Sequence, residues 1–304
     1  LVSTPVSAAE TGQLTNPPTS TEELSSPESI SGNEAASALN GLSVLAANGE
    51  AEVTTASELT GALADSSISR ITLKGDIDIG STLTVNRTVT LDLNGCVLKM
   101  TGSDSVIKVE ADGDLTIQDR NTTTQHKFNP HCKYLTWYID MWELDNGGSE
   151  IVSGGVITGG GGDQSNGGGV LVAGGTLVMA GGSIVGCSAM SRGGGVCNNG
   201  TFIMSDGMIK GCTSPDGQYA SGGGVRNSNQ FTMTGGMIGD PDNENDASHV
   251  YNTSSQETTL TISGNAKIYT DITNVGILNA DGGEIAGTMT NDTNRYGNRV
   301  GGGD

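Results

Sequence analysis

A Gly-Gly-Gly-Val motif recurs in the second half of the chain, at residues 167–170, 193–196 and 222–225. Each copy is followed by a Gly- or Asn-rich turn, two apolar residues separated by one position, a Gly-Gly or Asp-Gly pair, and an isoleucine. Repeats of this length are typical of solenoids, in which each repeat is one turn of chain that packs on the next. The motif therefore restricts the architecture more strongly than the function.

The repeats can be aligned so that apolar residues occupy the same columns. The first column contains Leu177, Phe202, Phe231, Leu260 and Leu278; the second contains Met179, Met204, Met233, Ile262 and Ala280; the third contains Ile184, Ile209, Ile238, Ile268 and Ile285. A further column of inward valines contains Val170, Val196, Val225 and Val250, and a column of asparagines contains Asn198, Asn227 and Asn252. Stacked identical positions on parallel strands form continuous apolar and amide ladders. The alignment predicts an all-β chain that winds as a parallel β-helix.

Composition agrees with a stack of flat turns. Of 304 residues, 48 are glycine and only 4% are aromatic, which is little for a close-packed globule of this size. The net charge of -20 argues against nucleic acid as a partner, because phosphate binding requires clustered Lys and Arg. No apolar run is long enough to cross a membrane. We expect an exported protein, secreted or anchored at the cell surface, and the first and last residues are typical of a piece of a longer protein.

Three segments differ in character. Residues 1–54 are rich in Ser, Thr, Pro and Glu, which predicts a disordered linker or stalk. Residues 55–69 contain Leu59 and Leu63 behind a Ser/Thr start, which predicts a short helix that caps the open end of the first turn. From residue 70 to 304, apolar residues alternate with Thr, Asp, Lys and Asn in short runs between turns, which predicts the β-helix itself.

The segments VNRTVTLDLNG at residues 85–95 and GTLVMAGGSI at residues 175–184 resemble the pectate-lyase-like right-handed parallel β-helix superfamily. They are most similar to its Gly-rich repeat members on bacterial cell surfaces, which are adhesin-like. The resemblance covers residues 55–300 and implies a right-handed solenoid. Because this superfamily contains lyases, hydrolases, autotransporter passengers and binding rods, it specifies the fold and leaves the activity open.

The first candidate site is an aromatic-rich interruption at residues 120–148. If its residues alternate as in a strand, Tyr138, Asp140 and Trp142 share one face. Two rings beside a carboxylate suit a sugar, since rings stack on the apolar face of a pyranose and Asp accepts from its hydroxyls. The alternative is that this excursion folds over the rod and seals a thin stretch of core.

The second candidate is a calcium site at residues 240–246. Asp240, Asp242, Glu244 and Asp246 place oxygen ligands at alternate positions, as in the first half of a calcium loop. The stretch departs from the EF-hand pattern, because it lacks the glycine at the sixth position and the closing glutamate, where Tyr251 stands. A polar loop between turns is the alternative, and no other cofactor is indicated.

The sequence favours a non-catalytic adhesion or glycan-binding stalk whose partner is a host or bacterial glycan or a surface protein. The alternatives are a polysaccharide lyase or glycoside hydrolase of the same fold, and a purely structural repeat segment. The motifs of pectin hydrolases do not occur, and the catalytic carboxylate pair of a glycosidase is not evident. Cys187 and Cys212 occupy equivalent repeat positions, where they form either an apolar ladder or a disulfide.

Overall fold

A computed structural model describes residues 49–133, 140–161, 166–214, 222–243, 246–253, 257–291 and 300–301. These residues contain one helix, α1 (Ala56–Ala64), and 25 strands. The first strands are β1 (Glu50–Val53), β2 (Arg70–Leu73), β3 (Ile77–Ile79), β4 (Leu83–Val85), β5 (Thr88–Asp92), β6 (Val97–Met100), β7 (Ile107–Val109), β8 (Asp114–Gln118), β9 (Gln125–Lys133), β10 (Asp140–Leu144), β11 (Glu150–Ser153) and β12 (Val156–Thr158). The others are β13 (Val170–Val172), β14 (Thr176–Val185), β15 (Val196–Asn198), β16 (Thr201–Lys210), β17 (Val225–Asn227), β18 (Gln230–Met233), β19 (Met237–Ile238), β20 (Val250–Asn252), β21 (Thr259–Ile268), β22 (Ile272–Asn274), β23 (Ile277–Ile285), β24 (Met289–Asn291) and β25 (Val300–Gly301).

The helix expected near the start of the solenoid is present. Thr55 is its N-cap and accepts a hydrogen bond from the Glu58 backbone N–H, while the Glu58 carboxylate accepts one from the Thr55 N–H. This reciprocal capping box satisfies donors that the first turn leaves free. Leu59 and Leu63 are buried against the first strands. The helix therefore covers apolar side chains at this end of the core.

The expectation of a disordered segment up to residue 54 needs correction at its end. Glu50–Val53 forms strand β1, which pairs in parallel with β2, whereas residues 1–48 lie outside the described residues. The acidic residues of β1 are used in cross-strand ion pairs: Glu50 lies 3.4 Å from Arg70 and Glu52 lies 2.8 Å from Lys74. Ala51 and Val53 point the other way and are buried.

The all-β class with parallel pairing is confirmed. Of the described strands, 14 form one sheet and eight form a second, and every pair in both is parallel. From β13 to β25 the chain alternates between the two sheets, and each visit pairs with the preceding and the following visit. One continuous apolar cluster includes residues of both sheets. Parallel strands buried in this way require a crossover between successive partners, which the other sheet supplies.

The apolar columns predicted from the repeats are confirmed by the strand register. The first column follows the pairs Leu177–Phe202, Phe202–Phe231, Phe231–Leu260 and Leu260–Leu278, and the other two follow equally direct pairs in the same strands. The inward valines also pair in register. Most of these side chains are fully buried, although Ala280 of β23 is exposed.

The long strands β14, β16 and β21 belong to two rows of the larger sheet. Their first halves pair along one row, and their second halves pair with the short strands β12 and β19 along another. Shifts of register between the halves fall near the glycine pair of each repeat. Gly182 has φ +76, and a Cβ on it would overlap the Leu93 side chain, so this bend requires glycine.

The asparagine ladder is confirmed and is longer than predicted. The side-chain amide of Asn198 donates to Asn227 Oδ1 at 2.7 Å, and Asn227 and Asn252 repeat this bond to the next asparagine at the same distance. Asn274 donates in turn to Asn291 Oδ1 at 3.0 Å. Because Asn198, Asn227, Asn252 and Asn274 are buried, each turn receives a hydrogen bond in a place that water does not reach.

The thiols of Cys187 and Cys212 are free and fully buried. Burial raises the pKa of the Cys212 thiol well above its usual value, and the neighbouring Cys187 adds to this effect. Both therefore act as small apolar side chains in the ladder, which was one of the two alternatives for this column.

Candidate functional site

The excursion between β8 and β12 forms a separate sheet. Its three strands are antiparallel in the order β10-β9-β11. We call these strands the insertion sheet. Antiparallel strands with a free face do not need the crossovers that the parallel sheets use, so they can form within one continuous segment. The insertion sheet is the largest local departure from the repeat and contains two of the predicted sugar-binding residues, Asp140 and Trp142.

Trp142 of β10 is an interior residue. Its side chain is 1% exposed and packs with Phe128, Val152, Val156 and Val185 in a second apolar cluster. The centroids of the Phe128 and Trp142 rings are 6.4 Å apart, and the rings are tilted by 44°. The prediction that Trp142 presents its ring to a sugar is therefore corrected, because both the cluster and the main sheet cover it. The insertion seals the core at this point.

Two glycines of the repeat create the space for Trp142. Gly186 and Gly211 precede the two stacked cysteines, and both have positive φ, +62 and +60. A Cβ on Gly211 would overlap the Trp142 ring, and a Cβ on Gly186 would overlap the Trp142 carbonyl oxygen. The Trp142 N–H also donates to the Gly211 carbonyl at 3.2 Å. The insertion sheet is thus attached to the residues that directly follow β14 and β16, which lie much later in the sequence.

A buried lysine lies directly beside this tryptophan. Lys210 Nζ is 4.2 Å from the centroid of the Trp142 ring and 3.3 Å from Asp240 Oδ2. The side chains of Lys210 and Asp240 are only 8% and 6% exposed. A buried ammonium requires an opposite charge, and an aromatic face gives it additional stabilisation. Sequence reasoning missed Lys210, although it stands where the preceding repeat has Val185.

A second buried carboxylate, that of Asp246, is near the pair. Its oxygens accept hydrogen bonds from the Gly211 N–H at 3.1 and 3.2 Å and from the Ser248 N–H at 2.9 Å. Burial raises the pKa of Asp246, and the negative charge of Asp240 contributes in the same direction, whereas the hydrogen bonds from Ser248 and Gly211 oppose the rise. Lys210, Asp240, Asp246 and Trp142 form what we call the lysine cluster.

The remaining predicted site residues are placed as follows. Tyr138 and Glu244 lie outside the described residues. The backbone of Asp140 pairs with Lys133 in the insertion sheet. Asp242 is exposed, and a cation beside Asp240 would meet the ammonium of Lys210. The described parts of the chain contain no group of three His, Cys, Asp or Glu residues able to hold a metal, so calcium at residues 240–246 stays a prediction.

A cleft opens between the insertion sheet and the main body. Its volume is about 450 Å³, and its polar lining includes Lys99, Thr101, Glu143 and Thr158. A smaller pocket of about 190 Å³, lined by glycines, Ser103 and Ser188, shares three glycines with it. Together they form a groove with hydroxyls, exposed backbone and one charge of each sign. We call it the insertion groove.

Two other carboxylates form structural bonds. Asp92 is fully buried and accepts from Arg120 Nε, from Gln118 Nε2 at 3.0 Å and from the Asn94 N–H at 3.0 Å. Asp119 accepts from the backbone N–H groups of two glycines, Gly95 at 2.7 Å and Gly155 at 2.8 Å. Both fasten the segment that leads into the insertion sheet to the main body.

These features define an all-β protein of stacked parallel strands with an attached insertion sheet. Residues 50–153, from the first residue of β1 to the last of β11, match the family described as "Putative pectate lyase-like adhesive domain". The match supports the pectate-lyase-like, adhesin-like resemblance, and an adhesive family indicates a surface or extracellular location. Searches of curated proteins and of solved structures return no match. Within the described residues, no helix has the length and apolarity needed to cross a membrane.

Proposed function

We propose that this chain is a non-catalytic adhesion module of the cell surface, built as a right-handed parallel β-helix that binds glycans. The winding is supported by the regular alternation between two parallel sheets and by the columns of identical residues in register. A rod of stacked turns holds a binding surface at a defined distance from its anchor.

The observation that carries the adhesive role is the match of residues 50–153 to an adhesive domain family. The claim that the module is non-catalytic is supported by the contacts of the buried carboxylates. Asp92 and Asp119 hold backbone and side-chain donors, Asp240 faces Lys210, and Asp246 accepts backbone N–H groups. A glycosidase acid or nucleophile must instead face the scissile bond of its substrate.

The insertion groove is the proposed contact surface. Thr101 and Glu143 are exposed and can accept from or donate to sugar hydroxyls, and Lys99 can donate to a ring or hydroxyl oxygen. Tyr138 and Asp140 belong to the same insertion and stay part of the proposal. Trp142 does not, because its ring is covered. Contacts of this polar kind fix the orientation of a ligand in a largely preformed site.

A glycan array with the purified chain tests the proposal. The variant Glu143→Ala together with Lys99→Ala should lose at least about tenfold in affinity for the retained glycan, because two polar contacts contribute more than 1.4 kcal/mol. The exposed Lys267→Ala variant is the control and should bind as the parent does. Absence of any glycan signal, or equal binding by both variants, would remove the glycan assignment. Release of reducing ends from a bound polysaccharide would instead establish the enzymatic alternative.

A further inference from the structure

We propose that Lys210 and Asp240 condense into an intramolecular amide, which covalently joins two successive turns of the chain. Lys210 is the last residue of β16, and Asp240 follows β19, the strand that pairs with the second half of β16. Lys210 lies one residue and Asp240 two residues beyond the last register pair, Ile209–Ile238, and Lys210 Nζ is 3.3 Å from Asp240 Oδ2. The new bond would close the loop between them.

The surroundings provide the three conditions that amide formation requires. The reacting groups are in contact, since the backbone register fixes both ends. Water is excluded, because Lys210 and Asp240 are buried and the Trp142 ring covers Nζ. A second buried carboxyl, that of Asp246, accepts from the N–H of Gly211, the residue after Lys210, and interacts electrostatically with Asp240, so it is the group that can carry a proton. Fixed proximity of this kind replaces much of the entropy that a reaction in solution would cost.

The reaction balances without an oxidant or a co-reactant. In the first step a proton passes from the Lys210 ammonium to the Asp240 carboxylate across their contact, which leaves a neutral amine and a neutral acid. Nζ attacks Cγ of Asp240, so a C–N bond forms. Asp246 takes a proton from the nitrogen and delivers it to one oxygen, the C–O bond breaks, and one water molecule leaves. Because burial raises the pKa of Asp246, that group is suited to hold the proton during transfer.

Such a bond would suit an adhesive rod that is pulled along its axis. Hydrogen-bonded turns can separate under force, whereas an amide between Lys210 of β16 and Asp240, two residues after β19, keeps those turns together. It would also keep Gly211, and thus the docking place of Trp142, next to the lysine cluster. The adhesive function and the covalent bond remain separate claims, because the bond can be measured without any ligand.

Mass spectrometry of the whole denatured and reduced chain tests the proposal. The parent should be one water lighter than its sequence, and a tryptic digest should contain one branched peptide that joins Lys210 to Asp240 and is uncut after Lys210. Lys210→Arg and Asp240→Ala should each have their full sequence mass. The control Lys267→Arg, at an exposed lysine, should still lose the water.

Two further measurements exclude other sources of the same mass change. A succinimide at an Asp-Gly step also loses one water, and the chain has such steps at residues 112–113, 206–207, 216–217 and 281–282. A succinimide hydrolyses in mild alkali and the amide does not. Asp246→Asn keeps the reacting pair and should abolish or greatly slow the loss. A parent of full sequence mass, or a water loss confined to Asp-Gly steps, would overturn the proposal.

Discussion

The rings of Phe202 and Phe231 stack face to face, with centroids 4.5 Å apart and planes inclined by only 9°. The distance between the ring centroids is close to the spacing of neighbouring strands in a sheet. The two stacked rings therefore report the register of β16 and β18 directly. The same register places Met204 on Met233 and Thr201 on Gln230. Stability of the parallel sheets should therefore depend on columns of residues and not on single contacts.

A charge within a column should destabilise several turns. Met204 is fully buried between Met179 and Met233, and Met204→Asp would place a carboxylate there without a partner. We expect the free energy of unfolding to fall by more than about 4 kcal/mol. The neighbouring, exposed Ser205→Asp variant is the control and should change it by less than about 0.5 kcal/mol. Chemical denaturation measures both, and equal midpoints would contradict the inward position of Met204.

The asparagine ladder should contribute to stability through its buried amides. Asn227→Ala removes the bonds to Asn198, Asn252 and the Thr259 carbonyl, and it leaves buried groups unsatisfied. We expect a loss of about 2–4 kcal/mol in the free energy of unfolding. The matched variant Asn199→Ala, on an exposed side chain, should cost far less. If both variants unfold at the same denaturant concentration as the parent, the ladder makes no net contribution.

The docking of the insertion sheet should require glycine at residue 211. Gly211→Ala places a methyl group against the Trp142 ring at a positive φ, and we expect a loss of more than about 2 kcal/mol. Gly75→Ala is the control, because a Cβ there meets no atom within 4 Å. The emission maximum of tryptophan fluorescence should shift towards the wavelength of a solvent-exposed indole in Gly211→Ala and not in the control. An unshifted spectrum and an unchanged melt would mean that Trp142 docks elsewhere.

Asp246 should make stability depend on pH in a defined direction. Burial raises its pKa above the ordinary value of 3.8, so the folded state retains a proton that the unfolded state has already lost. The free energy of unfolding therefore falls as pH rises from the unfolded pKa to the folded one. The Asp246→Asn side chain cannot ionise. The free energy of unfolding of this variant, relative to that of the parent, should therefore increase with pH across that interval and stay constant above it. The comparison uses the slope with pH, because burial, the largest cause of the raised pKa, acts on Asp246 with or without the amide. Parallel curves would contradict the prediction.

The ladders and the cap helix could be predicted because their information is local or periodic. Apolar residues return at the same place in each repeat, and Thr55 with Glu58 forms a capping pair within one turn of helix. Strand β1 was not predicted, because Glu50 and Glu52 resemble the acidic linker before them. Their partners, Arg70 and Lys74, lie about 20 residues later, at the first residue of β2 and directly after its last.

The candidate site was harder to predict because its parts are distant in sequence. Trp142 is of the residue type that stacks on sugars, and only its contact with Gly211 in the folded chain shows that its ring is covered. Lys210 stands where the preceding repeat has Val185, which was a usable signal, but its partner Asp240 was assigned to a calcium loop. A single sequence contains the residues of such a cluster but does not show that they lie close together in the folded chain.

The most direct test of the stacked winding is a set of distances between spin labels. In the larger sheet, the register of successive strands forms one column of residues, in the order Thr88, Asp114, Thr176, Thr201, Gln230 and Thr259. With one label at residue 88 and the other at 230 or 259, in a chain without reactive cysteines, the strand spacing predicts separations of about 19 and 24 Å. Narrow distributions whose mean distance increases by one strand spacing between these two pairs are expected for stacked winding. Separations that do not increase in this order would contradict it.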